Sequence, residues 1–312
     1  MSPIDNVVII GAGWVGRQVA ARMAQFGLNV WLVDREAAVV DQAIAWIGEL
    51  RTPIGDSFRF STEVDPSAAE VDESAWAECA SRIHDGGVLA ELTAEDLQTW
   101  HIDLILESVP EQISVKKRVL RLLSSLSLPP CIIASNSSYL VPSITSQFVQ
   151  HPERFAHLHF HVPVLRRSVC DVVGCTQTTP DVLARLVELA ERIEQPPIQL
   201  RHEHPGYIFN WLLQSVLRGA LELVAKDVAD PVDIDRAWKS VSGMPLGPFA
   251  IMDQIGLDVI EQVLSNSRWA SPTGVTEDDL IAIVRPLINA GRLGIKTDAG
   301  FYDYRSSEPA HD

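Results

Sequence analysis

The sequence predicts an α/β protein in which an N-terminal domain of alternating strands and helices is followed by an all-helical C-terminal domain. Three observations predict it. The chain opens on an apolar run, Val7 to Ile10, that leads into Gly11, Gly13 and Gly16. Apolar strand-like runs then alternate with helical periodicity as far as about residue 200. Beyond His204-Pro205-Gly206 the strand signals largely stop and helical patterning continues alone. A βα half followed by helices implies two domains, placed at 1–201 and 202–312.

The first stretch, VVIIGAGWVGRQVAARMAQFGLNVWLVD at 7–34, organises the rest. Val7 to Ile10 reads as a buried parallel strand, and the three glycines follow at G-x-G-x-x-G spacing before an apolar-periodic helix. Gly11 allows the tight turn, Gly13 lets backbone N–H groups approach a pyrophosphate, and Gly16 lets the helix pack close to the sheet. Trp14 and Val15 complete this loop, and the helix N-terminus faces the anion. A second strand, Asn29 to Val33, delivers Asp34, an acid placed to accept the ribose hydroxyls of NAD and to repel the 2′-phosphate of NADP. The fold class is therefore a Rossmann dinucleotide-binding domain with NAD as cofactor.

Composition narrows the remaining classes. The chain has 312 residues, 46% of them hydrophobic, enough for two domains and a large core. Its net charge of −16 argues against nucleic acid and anionic membranes as partners, because phosphate-neutralising side chains are too few. A long uncharged run, Ser124 to His151, is interrupted by Pro129, Pro130 and Pro142 and does not resemble a membrane span. With no signal-peptide pattern before Val7, the expected location is the cytoplasm. Cys79, Cys131, Cys170 and Cys175 show no C-x-x-C spacing and are read as buried thiols.

Further along, a helix is expected over Ala37 to Leu50, then irregular patterning to about Trp100. Residues 35–100 carry fourteen Asp/Glu against four Arg and no Lys, a solvated acidic surface. Strands are expected at His101 to Leu106, Cys131 to Ala134, Phe155 to His161 and Val169 to Val173. The first two end in Glu107-Ser108-Val109-Pro110-Glu111 and in Ser135-Asn136-Ser137-Ser138, polar strand ends that belong beside the cofactor of an open α/β sheet. Thr179-Pro180 opens a helix that Pro196 and Pro197 end. In the second half, helices are expected over Ile208 to Val224, Val232 to Ser240, Pro248 to Ser265 and Glu277 to Ala290.

His157, His159 and His161 alternate along one strand and share a face. A metal site is one reading; the preferred one makes a single histidine functional and the others solvent-facing or satisfied in the core. Nearby cysteines and carboxylates show no metal-ligand spacing, so no metal is assigned.

With these motifs in hand the chain resembles the 3-hydroxyacyl-CoA dehydrogenase family, which also includes L-gulonate dehydrogenase (the lambda-crystallin branch) and carnitine dehydrogenase. The likeness rests on GAGWVG with Asp34, DLILESVPE at 103–111, ASNSSYL at 134–140, RFAHLHFHVP at 154–163, PGYIFNWLL at 205–213, GMPLGPFAIMDQIGLD at 243–258 and GRLGIKTDAGFYDY at 291–304. It implies a helical C-terminal domain through which two subunits pair. It also implies that His159 matches the catalytic histidine, Asp171 its partner acid, and Ser138 and Asn210 the groups touching the reacting oxygen. Asn136, Glu111, Lys116 and Lys296 match positions near the cofactor.

Independently, oxidation of a secondary alcohol by hydride transfer needs a base near neutral pH, and an imidazole oriented by a carboxylate supplies one. Some positions depart from the family pattern. Asp171 stands where the family has glutamate, one C–C bond shorter, so the pair needs a shifted strand or a bridging water. Val162-Pro163 replaces an asparagine-proline. Arg166 and Arg167 face solvent or bind a substrate carboxylate or phosphate. The acidic, lysine-free stretch is a poor reception for CoA phosphates. The leading expectation is an NAD-dependent dehydrogenase of fatty-acid metabolism, acting on an L-3-hydroxyacyl compound, a short-chain 3-hydroxyacyl-CoA, as a homodimer. The alternatives are a dehydrogenase of a free or carrier-bound hydroxy acid held by Arg166 or Arg167, and a non-catalytic NAD(H)-binding structural or sensing protein.

Overall fold

The computed structural model describes residues 3–50, 73–127, 129–165, 168–266 and 273–305. Arg166 and Arg167, and much of the acidic stretch, lie outside the described residues. The chain divides into two compact units, and among the described residues the first runs to Ile208 and the second begins at Phe209.

The first unit is built on an eight-stranded sheet: β1 (Asn6–Ile10), β2 (Asn29–Asp34), β3 (Ile83–Val88), β4 (Leu104–Glu107), β5 (Ile132–Ser135), β6 (Phe155–Phe160), β7 (Cys170–Gly174) and β8 (Pro197–Gln199). Their order is β3-β2-β1-β4-β5-β6-β7-β8, and every pairing is parallel except β6 with β7. The order reverses between β1 and β4, which is where an open α/β sheet opens a ligand crevice at its carboxyl edge. The crossovers are carried by α1 (Trp14–Gln25), α2 (Ala37–Glu49), α3 (Glu73–Ser81), α4 (Ala94–Thr99), α5 (Ile113–Leu126), α6 (Pro142–Thr145) and α7 (Pro180–Arg192).

Both faces of the sheet are covered, which is why its central strands read as continuous apolar runs. Val7, Ile9, Leu32, Leu104, Leu106 and Ile132 face one core, which includes Val19 and Met23 of α1 and Leu186 of α7. Val8, Ile10, Ile105 and Ile133 face the other, with Leu120 and Leu123 of α5.

Two strands were not anticipated by pattern. β3 lies at the edge with a mostly half-exposed face and carries Gly86-Gly87, so it lacks an apolar run. β8 begins at Pro197, the residue expected only to end a helix; proline fits there because an edge strand can spare an N–H at its first position.

The second unit is helical: α8 (Phe209–Ala225), α9 (Pro231–Ser242), α10 (Pro248–Ile255), α11 (Leu257–Asn266) and α12 (Glu277–Asn289). The single helix expected over Pro248 to Ser265 is two, because Gly256 at φ +103° breaks the helical path. Phe249, Met252, Leu257, Leu280 and Val284 form its core. Asp235 caps α10 by accepting from the N–H groups of Phe249 and Ala250, an N-terminal carboxylate cap supplied from another helix. Among the described residues no helix is long and apolar enough to cross a membrane.

Candidate active site at the carboxyl edge of the sheet

The glycine turn leaves the end of β1 with Gly11 at φ +107°, where a Cβ would sit 2.5 Å from the Ser108 carbonyl oxygen. A Cβ at Gly16 would run into the Gly11 carbonyl, so the helix approaches the strand only as glycine allows. Gly13 differs: a Cβ there meets no atom within 4 Å. The open space lies before the first turn of α1, which has neither an acidic residue nor a side-chain cap, so its N–H groups suit a pyrophosphate. Asp34 ends β2, and its Oδ2 accepts from the Ala12 N–H at 2.8 Å, which ties the acid to the turn. These residues fit NAD. Trp14, half-exposed, meets Trp46 edge-on at 5.8 Å, and the Arg17 guanidinium lies over both rings.

A buried ion cluster closes the ends of β4 and β5. Glu107, the last residue of β4, is fully buried; its carboxylate accepts from Lys116 Nζ at 2.7 and 3.0 Å, from Ser135 Oγ at 2.6 Å and from the Val109 N–H at 2.8 Å. Glu111 accepts from Ser137 Oγ and from the N–H groups of Tyr139 and Leu140, with Lys116 Nζ 3.4 Å away. Burial opposes ionisation of Glu111, but the Lys116 charge and these hydrogen bonds outweigh it and lower its pKa. Lys116 therefore lies beneath the strand ends, held by two carboxylates and the Val109 carbonyl. Asn136 joins three strand ends, donating to Ser108 Oγ at 3.2 Å and accepting from the Phe160 N–H at 2.8 Å.

β6 runs parallel to β5, so its end reaches the same edge; β7 runs back from that edge, so its beginning lies there too. The ladder sets His159 directly opposite Asp171. Asp171 Oδ2 lies 3.0 Å from His159 Nδ1, and Ser138 Oγ lies 2.9 Å from His159 Nε2. The shorter acid thus reaches the ring directly, without the bridging water that its length suggested. His159 and Asp171 are 4% and 1% exposed. Burial lowers the His159 pKa, and the hydrogen bond to Asp171 only partly restores it. For Asp171 burial works against the charge, but the hydrogen bonds from His159 and His161 prevail and its pKa is lowered.

The other two histidines part company. His157 is fully buried, bonded through Nδ1 to Tyr207 Oη at 2.6 Å and through Nε2 to Thr145 Oγ1 at 2.7 Å. It is satisfied in the core, and burial holds its pKa well below the usual imidazole value. His161, just past the end of β6, turns to the same Asp171 oxygen, Nε2 to Oδ2 2.8 Å. His159, His161 and Asp171 each bring one potential ligand atom within 4.8 Å of the others, and these atoms are joined here by hydrogen bonds.

Asn210, in the first turn of α8, and Lys296, bonded to Asp258, lie in the second unit. Three residues of the first unit take roles that the sequence reading did not assign. Glu107 was placed at a polar strand end and His161 among the alternating histidines, but the ion pair of the one and the shared acid of the other depend on contacts distant in sequence. Tyr207, whose hydroxyl donates to the Ser137 carbonyl and whose ring lies 5.2 Å from His159, carried no local signal.

The model of the 3-hydroxyacyl-CoA dehydrogenase NAD-binding domain matches residues 6–203, and that of the family's C-terminal domain matches residues 206–304. A 3-hydroxybutyryl-CoA dehydrogenase of Clostridioides difficile is 27% identical over 96% of this chain and 99% of its own. A 5-formyl-3-hydroxy-2-methylpyridine 4-carboxylate 5-dehydrogenase of Mesorhizobium japonicum is 28% identical over 96% of this chain and 91% of its own. Among solved structures, a diketoreductase described as acting on dicarbonyl compounds superposes with a TM-score of 0.81 at 32% identity, covering 97% of this chain and 100% of its own. With both domain models matched in order over nearly its whole length, the chain belongs to the 3-hydroxyacyl-CoA dehydrogenase family of NAD-dependent oxidoreductases.

Proposed function

We propose that the protein interconverts an L-3-hydroxyacyl compound and its 3-oxo form, with His159 as general acid and base. The Ser138–His159–Asp171 chain of hydrogen bonds carries this reading. An ionised Asp171 accepts a hydrogen bond from Nδ1–H and fixes the tautomer, which leaves the Nε2 lone pair facing Ser138. In oxidation, Nε2 takes the hydroxyl proton of the substrate, the oxygen lone pair forms the carbonyl, and the imidazolium is stabilised by Asp171. Bound NAD supplies the acceptor for the hydride that leaves the same carbon. In reduction His159 returns the proton, and Ser138 donates to the developing alkoxide. Gly11, Gly13, Trp14, Val15, Gly16 and Asp34 cradle the cofactor, with Glu111 and Asn136 fixing the strand ends beside it. Asp34 favours NAD over NADP.

A short-chain 3-hydroxyacyl-CoA is the leading substrate class, on family grounds. The second reading, a hydroxy or oxo acid without CoA, is favoured by the acidic, lysine-free stretch and by the similarity to a diketoreductase. NADH oxidation measured with acetoacetyl-CoA, free 3-oxo acids and simple dicarbonyl compounds separates them, alongside NAD reduction with L-gulonate and carnitine. Turnover of acetoacetyl-CoA alone supports the first. Turnover of compounds without CoA but not of the thioester reverses the order, and no turnover by any of them, with NADH bound, favours a structural or sensing role.

All four cysteines are free, which suits a reducing compartment such as the cytoplasm. In the second unit Leu212, Val228, Val232 and Val241 are 59%, 62%, 60% and 90% exposed, which supports pairing of two chains through α8 and α9.

A further inference from the structure

We propose that His161 is a positioning residue for His159, holding the short Asp171 side chain by a second hydrogen bond to the very oxygen that orients the catalytic ring. The inference rests on the reading of His159 as the acid and base. Asp171 Oδ2 has both imidazoles as partners, Nδ1 of His159 at 3.0 Å and Nε2 of His161 at 2.8 Å. The rings lie 4.6 Å apart at 74°, so the two N–H groups converge on one atom without stacking. All three side chains are at least nine-tenths buried, so water does not compete freely for the oxygen.

A carboxylate oxygen has lone pairs for two donors, and with both filled a rotation of the carboxyl group breaks two bonds instead of one. That restraint matters more for aspartate than for glutamate. Asp171 reaches His159 from directly across the ladder with no length to spare, whereas a longer side chain could follow the ring. His161 comes to the same face because it lies two residues beyond His159, where strand alternation repeats. The site thus replaces a single long acid with a short acid pinned by a second imidazole.

The test compares His161→Phe, which keeps an aromatic ring and removes the donor, with His161→Gln, which keeps an N–H, on the best substrate of the panel. His161→Phe is expected to lower kcat on the order of 10-fold or more, the usual cost of loosened geometry at a reacting group, with KM for NADH unchanged. His161→Gln restores most of the loss. Adding Asp171→Glu to His161→Phe raises kcat, whereas Asp171→Glu alone lowers it. Independently of turnover, 15N spectra of histidine-labelled wild-type protein should show His159 protonated at Nδ1 and His161 at Nε2. A wild-type kcat for His161→Phe, Gln no better than Phe, or His161 protonated only at Nδ1 overturns the proposal. His159→Ala run in parallel separates the two readings. Retained activity there removes His159 as the acid and base, while an inactive His159→Ala beside an unimpaired His161→Phe removes only the role of His161.

Discussion

Asp171 stands directly across the β6–β7 ladder from His159, with its Oδ2 3.0 Å from Nδ1 of the ring. A strand pairing fixes this contact, so it does not depend on a loop. The antiparallel turn-back of β7 is what brings a residue twelve positions later in sequence to the carboxyl edge of an otherwise parallel sheet. Removal of either partner should therefore affect chemistry more than fold.

His159→Ala should lower kcat by on the order of 10²-fold or more while NADH affinity stays close to that of the parent, the usual worth of a positioned acid or base. Steady-state rates with NADH fluorescence titration check both halves. An unchanged rate removes the assignment.

The pH profile follows from the direction of the histidine shift. Burial lowers the His159 pKa below 6.5, so the ring is neutral at pH 7 and ready to accept a proton. Oxidation should be flat above that value and fall as pH drops through it. Asp171, His161 and Glu111 face the ring, and of the carboxylates Asp171 and Glu111 both stay ionised across this window because their pKa values are lowered. The free-enzyme inflection in kcat/KM for oxidation should thus lie below 6.5 and belong to the coupled cluster. An inflection above 7 contradicts the geometry.

How much of this was legible in the sequence depends on how local each signal is. The strand, glycine turn, helix and Asp34 declare themselves because each depends on residues close in the chain. The sharing of Asp171 by two histidines does not, since it needs the register of β6 against β7. β3 and β8 were hidden because edge strands tolerate glycine and proline. The break at Gly256 was hidden because apolar periodicity continues on both sides of a residue whose φ alone decides the path.

The Glu107–Lys116 pair gives a stability prediction. Both side chains are essentially buried, and Ser135 and the Val109 N–H complete the shell of the carboxylate. Lys116→Met takes away the cation that the Glu107 and Glu111 carboxylates share, a loss of roughly 3–5 kcal/mol for one member of a buried pair. Lys116→Met with Glu107→Gln should recover much of it. Urea unfolding of the two variants decides the matter, and equal loss in both would mean that packing, not charge, governs the site.

The glycine turn offers a separation of binding from folding. Gly16 and Gly13 belong to one motif, yet a Cβ at Gly16 collides with the Gly11 carbonyl while a Cβ at Gly13 enters empty space. Gly13 also has φ −67°, which alanine adopts without strain. Gly16→Ala should therefore lower the melting temperature, because backbone must move to admit the methyl group. Gly13→Ala should melt like the parent but bind NADH at least about tenfold more weakly, a loss of roughly 1.4 kcal/mol, since the methyl occupies the approach to the α1 N-terminus. Calorimetric melting and NADH titration of the two variants give the comparison. If Gly13→Ala bound NADH normally, the space before α1 would not be where the pyrophosphate lies, and the cofactor assignment of the turn would have to move.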